Sequence, residues 1–534
     1  MYNIHMKRIT DPEQMNLYLS DESRRVGTAQ EIFFPETEED ICRLLQADKT
    51  SAVTTQGGRT GVTAGAVPDG GLVLNLSAMN RVLSLPQAAD GHVSSAPSPQ
   101  SVLVQPGVLL CHLQEFLGRQ HLFFPPDPTE TTATIGGMVS CNSSGARTFK
   151  YGATRNHILA LRMVLSDGDA LSIRRGECLA KAGQFSLVTG SGRTISGKLP
   201  DIRMPRVSKH TAGYYIHPDI DMIDLFIGSE GTLGIVSEIE CSVLPEPEEL
   251  WGTIIFLETE EAALRLVRLL RGEGDAEACS ENGHSPGTCS GGEHGLPLAP
   301  EAIEFFGADT LDMLRSAQAG GDMLTDMTRI PSGCAVYTEF ASESRDLLEP
   351  LCHCLGEMVA QAGGDPDRTW FAFRGPDMQR LKDFRHAAPV CVNERISQIR
   401  KTHPAITKLG TDMSVPDRCL EQVFAMYRRD LSKEGFQTSL FGHIGNNHLH
   451  CNIIPGNEDE YRRGRELYTR WAGEVVRMGG SVSAEHGIGK LKPWILRKLY
   501  TEKELQSMLE LKALFDPEMR LNPGNIFGSP AESL

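Results

Sequence analysis

Apolar and polar positions alternate with two periods along this chain, and the switch between them marks its elements. Ser51-Ala-Val-Thr54 and Gly71-Leu-Val-Leu-Asn-Leu76 read as strands. Between Phe34-Pro35 and the first of them, Glu36 to Leu45 reads as a helix, with Thr37 as N-cap and Asp40 as an imperfect capping box. Residues 1–35 read as an entry helix and linker. Val102-Leu-Val104 is a strand, Val108 to Gln120 a helix, and Asp167-Gly168 a hairpin turn between Leu161–Leu165 and Ala170–Ile173. Ile227 to Val236 opens into another strand.

After Leu244-Pro-Glu-Pro-Glu-Glu249 the pattern changes. Thr253–Leu257 is a strand and Thr259 to Leu270 a helix with acidic residues in its first turn, as the helix dipole prefers. Glu301–Phe306, Ala335–Phe340 and Ser439–Ile454 supply mostly antiparallel strands with helices between them, an α+β arrangement over 247–480. Residues 272–299 lack periodicity and read as a mobile insertion; Cys279, His284, Cys289 and His294 within it are a minor metal-binding candidate beside the solvated-loop reading. The tail, 481–534, reads as helical and ends on Leu521-Asn-Pro-Gly-Asn-Ile-Phe527.

Three glycine clusters interrupt the first half. They are Gln56-Gly57-Gly58-Arg59-Thr60-Gly61, Thr134-Ile-Gly136-Gly137 running on to Asn142 and Gly145, and Gly228-Ser-Glu230-Gly231-Thr232-Leu-Gly234-Ile235. Glycine lets backbone approach a ligand closely, and successive N–H groups can form a nest for phosphate. Neither the P-loop nor the Gly-x-Gly-x-x-Gly fingerprint fits, since the first cluster lacks Lys-Ser/Thr and runs into a strand. Three such clusters point to a long, extended ligand contacted by backbone in several places, a flavin dinucleotide with its pyrophosphate on the first; a turn-rich α/β domain is the alternative.

Composition narrows the class. The 534 residues allow roughly two to four domains. A formal charge of −17 argues against a nucleic-acid partner. Met1 to Thr10 lacks the apolar core of a signal peptide, and thirteen scattered cysteines without framework spacing read mostly as reduced thiols of a cytoplasmic protein. No Cys cluster suits an iron–sulfur centre of its own. Peripheral association with the inner face of a membrane stays open.

A second site is legible near residue 450. Leu440–His443 and His448–Ile454 read as two strands joined by Ile444-Gly-Asn-Asn447, with His448, His450 and Asn452 on one face and His443 opposite His450. Two imidazoles on one polar face suit Zn²⁺ or Mn²⁺, with hydrogen-bonded structural histidines as the alternative. Glu485 and His486, between glycines that allow a sharp turn, offer further groups.

These stretches, with Gln105-Pro-Gly107, Pro126-Asp127-Pro128 and Asn522-Pro-Gly524 in the same order, resemble the flavin-linked D-2-hydroxy acid dehydrogenases of the vanillyl-alcohol-oxidase fold. That family includes D-lactate and D-2-hydroxyglutarate dehydrogenases and the flavin subunit of glycolate oxidase. The resemblance implies an α+β protein: a two-lobed FAD-binding domain of the PCMH type over 1–246, with two α/β lobes. A substrate or cap domain with an antiparallel sheet follows over 247–480, and a helical segment over 481–534 packs on the FAD domain. It implies non-covalent FAD on the glycine clusters, Gln56, Gln105, Pro126, Asp127 and Asn522. It implies a metal on His443, His450 and Glu485, His486 as catalytic base, and Arg385 for the substrate carboxylate, with Lys408 and Arg374 as weaker candidates. A quinone, cytochrome, electron-transfer flavoprotein or iron–sulfur subunit would take the electrons, and a homodimer is left open.

Two departures bear on the chemistry. Where many relatives have Asp-Gly-Asn between the histidines, this chain has Asn446-Asn447-His448, so His448 is a candidate outer group or ligand. Where binders of a second carboxylate often have lysine, it has Gly410, with Lys408 two residues earlier. This puts 2-hydroxyglutarate in doubt and favours a smaller acid such as D-lactate as the expected substrate, with D-2-hydroxyglutarate or glycolate as the alternative. A non-redox relative such as alkyl-dihydroxyacetone-phosphate synthase, or a zinc-binding protein without catalysis, are the competing readings.

Overall fold

The computed structural model describes residues 6–84, 87–88, 100–273, 299–321, 323–325, 327–342 and 344–528. The expected mobile insertion lies almost entirely outside the described residues, as do Cys279, His284, Cys289 and His294. The chain forms two compact units. One comprises Met1–Gly145, Gly152–Glu246 and Ser481–Leu534; the other comprises Ala146–Tyr151 and Pro247–Gly480.

The first unit begins with strand Lys7–Ile9, the short helix Pro12–Met15 and strand Glu31–Phe34, so the expected entry helix is a single turn set between two strands that were not expected. The strands are short, and the apolar pair Phe33 and Phe34 is buried on both sides of its sheet. Glu31–Phe34 and Val53–Gln56 both pair in parallel with Leu72–Asn75. Helix Glu38–Ala47 connects them with the expected Thr37–Asp40 capping box and packs Ile41, Leu44 and Leu45 on the sheet core. Burying each such side chain contributes roughly 1.5–3 kcal/mol.

The second sheet of this unit corrects the expectation of two α/β lobes: its pairings are antiparallel throughout. Ile235–Pro245 is its central strand, flanked by Gln100–Val104 and Ile158–Val164. The stretch after Thr134, read as irregular backbone, is the helix Ile135–Cys141, capped by the Thr134 hydroxyl and ended by Asn142 at φ 49°. Two glycines depress its intrinsic propensity. Packing outweighs them, because a Cβ at Gly136 would run into Pro106, so only glycine fits there.

The second unit is built on one antiparallel sheet of eight strands. Its long strands Glu249–Leu257, Pro300–Phe306 and Cys334–Ser342 are buried nearly throughout. Helix Pro376–Ile399 lies on this sheet and contributes Met378, Leu381, Phe384 and Ala388 to a core shared with Phe256, Phe306 and Tyr337. Gln437–His443 and His448–Ile454 form the expected hairpin at its far end.

Among the described residues no helix is long and apolar enough to cross a membrane. Among the described residues ten cysteines are free thiols.

Candidate functional site

In the first unit five separate segments converge on one cradle. Gly57 and Gly58 pass so close to Thr134 and Thr132 that a side chain on either would collide, whereas Gly61 faces open space. The next stretch joins the third cluster through backbone: Gly228 N–H donates to Val139 at 2.9 Å and Glu230 N–H to Ser140 at 2.8 Å. Asn522 ties the tail in. Its side chain accepts from Thr55 N–H at 2.7 Å and donates to the Glu230 carbonyl at 2.7 Å. The turn after His486 closes the set, with Ile488 and Gly489 N–H donating to the Glu230 carboxylate at 2.7 and 2.8 Å. Arg59, Glu230 and Asn522 all adopt positive φ at these junctions.

Several residues expected at the cofactor also brace the cradle. Gln56 donates to the carbonyls of Tyr18 and Ala66, both at 2.7 Å, and Gln105 accepts from Arg81. The Thr232 hydroxyl donates to Ser229 at 2.7 Å, Ile235 is a core strand residue, and Gly234 packs on Met163. Gly145 abuts the carbonyl of Asp127, next to buried Pro126, so backbone contact is as close there as at Gly57. Thr60 and Gly61 remain partly or fully exposed, and the Gly137 N–H donates to the capping Thr134 hydroxyl. Gly231 fits only because a Cβ would meet Asn522 Nδ2, at 2.5 Å. The hydroxyls of Thr54 and Thr55 and one Arg59 guanidinium nitrogen are buried without a hydrogen-bond partner among the described residues. Buried polar atoms left so are costly, and polar groups of a ligand would satisfy them. The donors, the open space at Gly61 and the glycine-lined walls fit an extended dinucleotide.

Two buried charges sit in the same cradle. Burial pushes the Glu230 carboxyl up to about 7 against its two backbone donors. Burial likewise pushes Lys490 down to about 8, its ammonium donating to Asn525 at 2.9 Å.

Glu485 and His486 follow in this unit, both partly exposed. The Glu485 carboxylate accepts from Ser144 at 2.7 Å and from the ammonium of Lys209, which is buried and also donates to Gly145 at 3.0 Å. Nothing in the sequence around Lys209 signals this pairing, because the stretch has no periodicity.

In the second unit the hairpin carries three imidazoles on one face. His443 stands opposite His448, and His450 opposite Phe441, a shift from the expected pairing of His443 with His450. The cause is the turn: Asn447 at φ 53° closes Ile444–Asn446 directly onto His448. Ring centroids are 5.4 Å apart for His443 and His448, 5.6 Å for His443 and His450, and 4.4 Å for His448 and His450. Arg271, buried at the end of a helix, clamps the turn by donating to the carbonyls of Ile444 and Gly445 and to the Asn447 side chain. Each imidazole meets an oxygen at one nitrogen: His443 Nδ1 at 2.6 Å from Glu304, His450 Nδ1 at 3.1 Å from the Thr411 carbonyl, His448 Nε2 at 3.3 Å from Asp412. Glu304 shares the strand Pro300–Phe306 with a second acid, Glu301, and nothing in that stretch signals its pairing with His443.

Arg385 is buried on the long helix of this unit, its guanidinium 6.0 Å from the Tyr337 ring. Tyr337 donates to Glu339 at 2.6 Å and Arg147 donates to the same carboxylate at 2.9 Å. Burial alone would raise Glu339, but Arg147, Lys382 and Arg385 outweigh it and bring its carboxyl to about 2. The surroundings of Arg385 are therefore held by a permanently ionised acid. Lys408 and Arg374 are exposed; Lys408 donates to Asn393 at 3.2 Å.

The first unit holds a cradle that fits a dinucleotide, and the second is built on its own antiparallel sheet. Residues 29–174 match the family described as FAD binding domain, and residues 296–526 the C-terminal domain of FAD linked oxidases. Together the two matches cover most of the chain, which carries the FAD-binding and C-terminal domains of the FAD linked oxidases and is an oxidoreductase of that kind. It is 27% identical over 508 residues to glycolate oxidase subunit GlcD of Bacillus subtilis, covering 94% of this chain and 89% of that protein. It is 26% identical over 497 residues to a D-lactate dehydrogenase of Archaeoglobus fulgidus, covering 92% and 90%. It is 24% identical over 542 residues to a D-2-hydroxyglutarate dehydrogenase of Stutzerimonas stutzeri, covering 98% and 96%. A solved alkyldihydroxyacetonephosphate synthase superposes with a TM-score of 0.59 at 14% identity, over 97% of this chain and 82% of that one, which shows the fold.

Proposed function

We propose that this chain oxidises a small D-2-hydroxy acid, D-lactate first among them, to the 2-oxo acid. The observation that carries the reading is the imidazole face of the hairpin, in the same unit as a buried arginine suited to a carboxylate. Three imidazoles, each with an oxygen at one nitrogen, have the donor chemistry of a divalent-ion site. His443 and His450 are the ligands in this reading, with Glu485 of the first unit completing the set as the family resemblance implies.

When bound, FAD supplies the hydride acceptor and a divalent ion a Lewis acid that favours loss of the substrate hydroxyl proton. Arg385 binds the carboxylate as a guanidinium fork, pre-set by Tyr337 and Glu339 below it. His486 takes the hydroxyl proton as general base. Gly57, Gly58, Thr134, Gly145, Gly231 and Asn522 shape the flavin cradle, and the hydroxyls of Thr54 and Thr55 offer donors to it. Support for a small acid comes from Gly410, which packs against Asn452, and from Lys408, which turns to Asn393. Electrons then leave to a quinone, cytochrome, flavoprotein or iron–sulfur partner.

The test is anaerobic mixing of flavin- and metal-replete protein with D-lactate, L-lactate, glycolate and D-2-hydroxyglutarate, following the visible flavin band. Rapid bleaching by D-lactate alone is the expected outcome. Faster bleaching by D-2-hydroxyglutarate would overturn the small-acid reading, and none by any hydroxy acid would overturn the reaction class.

A further inference from the structure

We propose that His448 is a third imidazole ligand, so that the hairpin alone presents three nitrogens to one divalent ion. The inference rests on the reading that this hairpin holds a metal, and extends it to a residue outside the expected ligand set.

Four observations carry it. His448 faces the same side of the hairpin as His443 and His450, because it lies opposite the first and two residues before the second. One donor nitrogen from each of the three rings lies within 4.8 Å of the others, the span of ligands around one ion. The ring of His448 is fully buried, with no exposed surface, and the Asp412 carboxylate beside it is also buried. Finally, the oxygens fix the tautomers. A neutral imidazole beside an acceptor carries its proton on that side and its lone pair on the other nitrogen. Glu304 and the Thr411 carbonyl therefore give His443 and His450 their lone pairs at Nε2, while the Asp412 carboxylate lies 3.3 Å from His448 Nε2, within ion-pair range. Metal-binding histidines characteristically pair with a carboxylate or carbonyl in this way.

The backbone makes the arrangement rigid. The Arg271 clamp and the bond from Asn447 Nδ2 to Asp417, 2.6 Å, hold the turn that spaces His443 from His448. A face of three imidazoles also has a chemical preference. Nitrogen-rich sites favour Zn²⁺ over Mn²⁺, whereas oxygen-rich sites suit Mn²⁺. His448 thus biases this chain toward zinc.

The experiment uses the full chain, stripped with a chelator and retitrated with Zn²⁺ or Mn²⁺. Bound metal is counted by mass spectrometry, and X-ray absorption at the zinc edge counts the imidazoles. Wild type should hold one zinc with three imidazoles. His448→Asn should hold it with two, lose more than about 10–100-fold in zinc affinity, the range typical of losing an outer partner, and lose part of its preference for zinc over manganese. Asp412→Asn should keep three imidazoles at reduced affinity. Wild-type protein that binds no metal overturns the hairpin reading itself. Zinc bound with two imidazoles in wild type overturns the role of His448 alone, and this count decides the question even where His448→Asn fails to fold.

Discussion

Lys209→Met tests whether Glu485 is held in place by a buried ion pair. The Lys209 side chain has 0% exposure and that of Glu485 11%, so water does little to screen the pair. Methionine keeps most of the stem volume but removes the ammonium, leaving the carboxylate with the Ser144 hydroxyl. Removing one partner of a buried pair costs about 3–5 kcal/mol. Ser144 and the residual exposure of Glu485 place this loss near the lower bound, about 3 kcal/mol. Glu485→Gln leaves a buried ammonium with the Gly145 carbonyl and should cost about as much. The double variant buries neither charge, and neutral replacements of buried pairs are often close to neutral in stability. The two substitutions should therefore couple by about 4.5–5 kcal/mol. Thermal unfolding of metal-stripped protein, followed by flavin fluorescence, reads this at about 2 °C per kcal/mol for a unit of this size. Each single variant should melt about 6 °C low and the double within about 2–3 °C of wild type. Strict additivity, with the double lowest of all, would refute the reasoning.

Three further outcomes follow from the same geometry. Asn522→Ala strands the Thr55 N–H and weakens the bonding of the Glu230 carbonyl, which keeps a 3.3 Å bond from Asn525; the expected loss is about 2–4 kcal/mol, read as a flavin-release midpoint lower by about 4–8 °C. Glu230 has a folded pKa raised to about 7 from an ordinary 4.5, so its stabilising contribution is complete below about pH 4.5 and disappears as pH rises through about 7. Melting curves of wild type should fall by up to about 3 kcal/mol across that window, and Glu230→Gln should flatten it; an unchanged slope would count against the buried carboxylate. His486→Ala should slow flavin reduction by roughly 10²–10⁴-fold with FAD still bound, by stopped-flow absorbance, and near-normal reduction would remove His486 from the chemistry.

How much of this was legible in the sequence depended on how local each feature is. Alternation over 437–454 is enough to build the hairpin and put its histidines on one face. Its register was misjudged because a left-handed residue, Asn447, closes the turn, and alternation carries no information about φ. The helix Ile135–Cys141 was hidden by its two glycines, whose smallness serves packing against Pro106 rather than loop geometry. The strands Lys7–Ile9 and Glu31–Phe34 are too short to declare a period. The braces of the site, Lys209, Glu304, Arg271 and Tyr337, carry no motif because what they contact is distant in sequence.

The same contrast separates the two pieces of machinery. The flavin cradle is assembled from bonds that span the chain: Thr55 to Asn522, Glu230 to Gly489, Thr63 to Lys490. None exists until the tail has returned, so the cradle's geometry is a late and cooperative property of the first unit, and loop-closure entropy opposes it until then. The imidazole face is the reverse case. Two adjacent strands and one clamped turn fix His443, His448 and His450, with Glu304 and residues 411–412 as anchors from neighbouring strands. Damage to the tail should therefore empty the flavin site while sparing the hairpin, whereas damage to the turn should act on metal affinity and leave flavin content nearly intact. The glycine clusters are visible because close backbone approach permits few residue types. The histidines are visible because few side chains can offer a neutral nitrogen lone pair. The bracing residues carry no motif of their own and pair with partners distant in sequence, so only the fold shows them.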